Sequence, residues 1–194
     1  MMNPKLVREL RKAVERNRYE ITEDGVLFPD SKIAGGGIFE TSLNGGRWEP
    51  GLNMLPMLGR NNALNAFLGG SAFSPEDAWY FAPFATNTAP TDSLTAANFT
   101  ATQTEFTNYD EVTRALWTNA AAAAGVISNA ATSVTITVAG GAQTAIYGLA
   151  LISASAKSAT TGVLAACALL ATARTGLVDG DVLGLRYSVT LSNA

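Results

Sequence analysis

The stretch Ser133-Val134-Thr135-Ile136-Thr137-Val138 decides the fold class. Its strict alternation puts Val134, Ile136 and Val138 on one face of an extended chain and three hydroxyls on the other, the pattern of a half-buried strand. The same period returns in Tyr187-Ser188-Val189-Thr190-Leu191. Working outward, short apolar runs separated by turn residues predict strands over 104–109, 114–119, 125–129, 133–138, 144–153, 162–173 and 182–191. Strands of this length and spacing give a mainly β chain, with a C-terminal β-sandwich or jelly-roll-like domain over residues 96–194. Two stretches fit either state. The alanines of 120–124 can extend a short helix, and 159–175, with Leu164, Cys167, Leu169 and Ala171, is long enough to be helical, although Gly162 and Gly176 at its flanks favour a strand.

Upstream, the pattern changes. Leu6, Leu10 and Val14 recur at four-residue spacing behind Asn3 and Pro4, which suit the N-cap and first helical position, so residues 1–20 read as an amphipathic helix. Its basic residues are interspersed with Glu9, Glu15 and Glu20, the mark of a solvated face. From 21 to 95 the chain is punctuated by Gly35-Gly36-Gly37, Gly45-Gly46 and Gly69-Gly70, and every proline after Pro4 falls between Pro29 and Pro90. That density of breakers reads as an extended arm holding a short helix over 60–68 and a strand over 78–84. Its large apolar residues need cover. Trp48, Leu55, Phe67, Trp79, Tyr80, Phe81 and Phe84, together with Leu6, Leu10, Val14 and Trp117, are therefore the candidate interface residues.

Composition removes most chemistry. The 194 residues include no histidine, so the usual general base, the imidazole metal ligand and every Ser-His-Asp arrangement are missing. The single cysteine, Cys167, lies in an apolar run and reads as a small buried hydrophobe. Asp179-Gly180-Asp181 reads as a turn, since a calcium loop needs more oxygen ligands at set spacing. Gly140-Gly141 reads as a hairpin turn, and Ser155-Ala156-Lys157 as part of a polar loop. No catalytic residue, metal or cofactor is expected. Only a cleft gathering Glu105, Asp110 and Glu111 would revive an enzyme. A formal charge of −3 supplies no basic field for nucleic acid. No stretch is apolar enough to span a membrane, and the N-terminus lacks a secretory core, so the chain is expected to be made in the cytoplasm.

Several segments resemble, in order and spacing, a family of tailed-bacteriophage and prophage virion structural proteins. These are Glu49-Pro50, Asn53-Met54-Leu55-Pro56, Asn62 to Gly70, Trp79-Tyr80-Phe81-Ala82-Pro83-Phe84, Thr104 to Tyr109 with Arg114 and Trp117, and Tyr147-Gly148 leading to Ser155 through Leu164. They cover 49–164, with Gly180-Asp181 beyond. The resemblance implies a virion component forming symmetric multimers, with no catalytic residues to carry over. The expectation is a capsid decoration or cement protein, a trimer bound to the major capsid protein. The alternatives are a tail or neck protein (tube, adaptor or fibre base) and a carbohydrate-binding module stacking sugar on Trp79 or Trp117.

Overall fold

The computed structural model describes residues 19–21, 27–29, 33–69 and 76–193. The chain divides into two units. In the first, Met1–Gly35 with Leu191–Ala194, strand β1 (Tyr19–Ile21) pairs antiparallel with β2 (Leu27–Pro29), Glu20 opposite Phe28. The helix expected over the N-terminal residues, with Leu6, Leu10 and Val14, lies outside the described residues.

The second unit, Gly36–Thr190, is built on two antiparallel sheets. One has the order β10-β9-β5-β6, from β5 (Tyr80–Phe84), β6 (Ala115–Leu116), β9 (Ala145–Ile152) and β10 (Leu164–Thr175). The other has the order β4-β3-β11-β7, from β3 (Ile33–Leu43), β4 (Glu49–Leu52), β7 (Val126–Ser128) and β11 (Val182–Asn193), with β8 (Val134–Thr137) also paired to β11. Helix α1 (Met57–Leu68) precedes β5, and α2 (Ala96–Gln103) follows it. The sheets enclose a core in which Phe39, Ile136, Leu183, Leu185 and Tyr187 of one meet Phe81, Leu149, Leu151, Ala168 and Leu170 of the other. The fold is thus mainly β and sandwich-like, as alternation at Val134, Ile136 and Val138 requires.

Both faces of the four-stranded sheet are buried. Ala82, Phe84, Ala150, Ile152, Leu164 and Cys167 form a second core with Leu94, Ala96 and Phe99, under α2. A strand covered on both faces has no polar face to show, which accounts for the continuous apolar runs of β9 and β10. It also settles 159–175, of which Leu164–Thr175 is a strand. Helix α2 starts with a capping box, the Asn98 amide donating to Thr95 Oγ1 and the Thr95 amide to Asn98 Oδ1, which satisfies two amides that a helix N-terminus leaves open.

The sandwich is closed at two edges. Met54 and Cys167 exchange backbone hydrogen bonds, each 3.0 Å, tying the end of β4 to β10. At the other edge the Trp117 indole donates to the Tyr187 carbonyl, and the Ala120 amide donates to Ser128 O. Closure of this kind leaves few free strand edges.

Three expectations are corrected here. Of the arm expected over 21–95, the described residues 36–69 and 76–95 supply β3, β4, α1 and β5, and β5 lies inside a sheet. Of the glycines read as breakers, Gly45-Gly46 does make the β3–β4 turn and Gly69 ends α1, whereas Gly37 lies inside β3 at a close approach. A Cβ at Gly37 would sit 2.5 Å from Tyr187 Oη, and one at Gly51 would sit 2.9 Å from Leu169 O. Residues 104–109 form no strand; they cross between the sheets, Glu105 bridging to Phe84 and Tyr109 to Val138. Gly140-Gly141 joins β8 to β9, which lie in different sheets, so it is a crossing and not a hairpin.

Candidate interaction surface

The candidate interface residues scatter over this fold. Phe81 and Phe84 are wholly buried, and Trp117 is 8% exposed in the main core. All three are corrected from interface to core, because β5 is covered on both faces and Trp117 closes a sheet edge. The Trp117 ring face is therefore closed to a sugar. Trp79 and Leu55 are partly buried and pack against the same core, and Tyr80 is half-buried. Trp48 is half-buried too. It lies over Gly184, where a Cβ would stand 2.8 Å from its ring, and the Arg186 guanidinium caps it at 3.7 Å from the ring centroid. Phe67 alone among the described candidates is fully presented to solvent, at 80% exposure.

Phe67 belongs to α1, and the exposure extends along that helix. Met57, Leu58, Leu64 and Leu68 are also exposed, and the one buried residue is Gly59. Its seat is backbone on backbone: a Cβ at Gly59 would overlap the carbonyl oxygen of Ala165 in β10. The helix entry is pinned by Arg60, whose guanidinium donates to both Asp92 carboxylate oxygens, at 2.7 and 3.1 Å, and to Leu55 O at 2.9 Å. The Met57 amide donates to Asp92 O. No side chain caps the N-terminus, the first turn has no acid and the last turn no base. A 12-residue helix with so few of these aids is marginal by itself in water. Beside it runs a cleft of about 410 Å³ lined by Leu58, Asn61, Asn62 and Asn65 of the helix and, across from them, by Thr95, Thr160 and Leu164 among others.

Glu105, Asp110 and Glu111 all lie near enough to the Lys157 ammonium to favour its charged form. Glu105 and Arg114 are fully buried and paired in a fork, at 2.8 and 2.7 Å. Glu105 also accepts the Ser158 amide, and Arg114 donates to Ala154 O and Ala159 O. Glu111 accepts the Thr137 amide, and Asp110 is exposed. Lys157 donates to Thr107 O and Tyr109 O and lies 3.6 Å over the Tyr109 ring. Its ammonium is held by carbonyls rather than poised beside a serine. These bonds lock the 153–162 loop to the 104–114 crossing. The 104–109, Arg114 and 155–159 parts of the segments carrying the resemblance thus build one polar network around the buried fork.

The Asp179-Gly180-Asp181 turn is structural in the same way. Asp179 accepts the Gly140 amide, while Asp181 accepts Asn44 Nδ2 and the Val178 amide. The bond from Asn44, then that from the Val178 amide, holds the Asp181 carboxyl below its ordinary range. Burial pushes the Cys167 thiol well above its ordinary range, which suppresses the thiolate that a nucleophile needs. Among the described residues no group of three or more Cys, Asp or Glu is placed to hold a metal, and no helix is long and apolar enough to cross a membrane.

The exposed positions of α1 other than Phe67 were readable in principle. Met57, Leu64 and Leu68 share one side of a helical wheel, and Gly59, Ala63 and Ala66 share the other. Large apolar residues on the side away from the small ones are the signal, although of the small residues only Gly59 is buried. Comparison with known proteins brings no matching family model and no matching curated protein.

Proposed function

We propose that this chain is a bacteriophage virion structural protein, a capsid decoration or cement protein that works through contact and not through chemistry. The observation that carries the reading is α1: five large apolar side chains stand exposed on one helix of a unit whose cores are otherwise enclosed. An apolar patch of this kind marks an interaction site in a soluble fold. The resemblance of residues 49–164 to tailed-phage structural proteins supports the same assignment and supplies the partners, the major capsid protein and further copies of the chain.

The closed sandwich suits the mechanical task. Two cores, two tied edges and the buried Glu105–Arg114 fork make a body that passes load between neighbours without opening. Each copy adds a modest gain from the apolar area it covers, at about 25 cal/mol per Å², and symmetry multiplies that gain around the shell.

Cryo-electron microscopy of purified particles tests the proposal. Density of this fold at the capsid three-fold positions, at a copy number approaching that of the major capsid protein, is the expected result. Density confined to the tail vertex would transfer the assignment to a neck or tail component, and absence from particles would end the virion reading.

A further inference from the structure

We infer that α1 is a self-association seam, and that its occupant is α1 of a second copy of this chain, packed parallel and in register. The inference deepens the assembly reading above, and rests on it, by naming the partner of that surface.

Spacing is the first argument. At about 100° per residue, Met57, Asn61, Leu64 and Leu68 fall on one stripe, diametrically across the helix from Gly59, the residue seated on β10. Their separations of four, three and four residues are those of a coiled-coil seam, with Met57 and Leu64 at d and Asn61 and Leu68 at a. A single asparagine at an a position is the device that fixes register between parallel helices, because its amide finds a partner only against its own equivalent. Phe67 and Leu58 flank the stripe on either side.

Charge selects among occupants. The only charged residue on α1 is Arg60, and both its terminal amino groups donate to Asp92. A lipid surface would be met by a basic polar face, which is missing here. A charged protein partner would find no counter-charge. What complements an uncharged stripe with one amide is the same uncharged stripe.

Area is sufficient. The five exposed side chains, between 45% and 80% accessible, amount to roughly 500 Å² of apolar surface per copy, the scale of patches that mark interaction sites. Full burial of the patch on two copies would reach about 1,000 Å², the lower bound of a specific interface.

The test uses the full purified chain. Sedimentation equilibrium is expected to show a discrete oligomer at micromolar concentration. Leu64→Asp and Phe67→Ser, both exposed and outside the enclosed cores, are each expected to weaken association roughly thirtyfold or more, the cost of one hot-spot residue, with an unchanged far-ultraviolet circular dichroism spectrum. Because Cys167 is the sole cysteine and is buried, Asn61→Cys places one accessible thiol on the seam, and mild oxidation is expected to link copies covalently. A monomeric wild-type chain, an oligomer indifferent to Leu64→Asp, or an oligomer that Asn61→Cys does not link would each overturn the inference. None of these depends on particles, so failure of the virion assignment is read separately, from particle microscopy.

Discussion

Glu105 and Arg114 show what one buried pair demands. Removing two charges from water costs several kcal/mol per ion, and the fork recovers this only because the Ser158 amide and the carbonyls of Ala154 and Ala159 complete the coordination. Arg114→Met leaves a buried carboxylate without a partner and is expected to cost about 3–5 kcal/mol in urea unfolding. Adding Glu105→Leu should restore much of that, though not the bonds to the loop. A loss below about 1 kcal/mol for the single variant would mean that water reaches the carboxylate. A gain is expected at Ala124. It sits at φ 51°, beside Gly125 at φ 76°, in the two-residue turn between Ala123 and Val126, which exchange backbone hydrogen bonds. Such turns need a left-handed residue at both central positions, where a Cβ is costly. Ala124→Gly should therefore raise stability by about 0.5–1 kcal/mol, seen as a higher urea midpoint. The sequence holds Glu105 and Arg114 in plain view, yet their role is illegible there, because it appears only when the 153–162 loop folds over both.

Among the elements, β8 and β11 were legible because one face of each shows polar residues, so a period of two survives in the text. Strand β9 was found by its apolar run and flanking turns. Strand β10 stayed ambiguous because both its faces are buried, Ala166, Ala168 and Leu170 in one core and Leu164 and Cys167 in the other, which removes the alternation that separates strand from helix. Strands β3 and β4 were missed for a different reason. The Gly35-Gly36-Gly37 run signals a break in a linear reading, whereas in the fold Gly37 lies inside β3 and admits Tyr187 at close range, as Gly51 of β4 admits β10. Helix α1 was placed within three residues at its start, but its outward face needed the seat of Gly59 to be recognised. That seat is testable by itself. Gly59→Ala forces a methyl against a backbone carbonyl that cannot turn away, so α1 must lift from β10, at a cost of about 1–3 kcal/mol. Hydrogen exchange should then quicken in α1 and stay slow in β9 and β5; uniform quickening would show that α1 and the sheets open as one.

At the scale of the compact unit, closure makes the two cores interdependent, and the tryptophans report on this from different places: Trp48 over β11, Trp79 beside β5 and Trp117 at the tied edge. Fluorescence and circular dichroism should follow one transition in urea, as two-state unfolding requires. Alkali then separates a buried phenol from the rest of the structure. Burial raises the Tyr187 hydroxyl well above its ordinary value, partly opposed by the bond from Asn53 Nδ2 at 2.7 Å, and burial likewise raises Tyr109. In the unfolded chain both ionise near pH 10. With the folded value the higher, their contribution is complete below about pH 10 and is lost as pH rises towards the folded value. Tyr187→Phe removes one of these groups while keeping the ring that stacks on Phe39 at 4.3 Å between centroids. At neutral pH the variant should be less stable by about 1–2 kcal/mol, since the Asn53 amide loses its partner. Above pH 10 that deficit should shrink, because only the wild type still has Tyr187 to ionise on unfolding. Urea midpoints of both proteins measured from neutral to strongly alkaline pH give the answer: converging curves support a buried neutral phenol at Tyr187, and parallel curves would mean that Tyr187 titrates alike in the folded and unfolded chains.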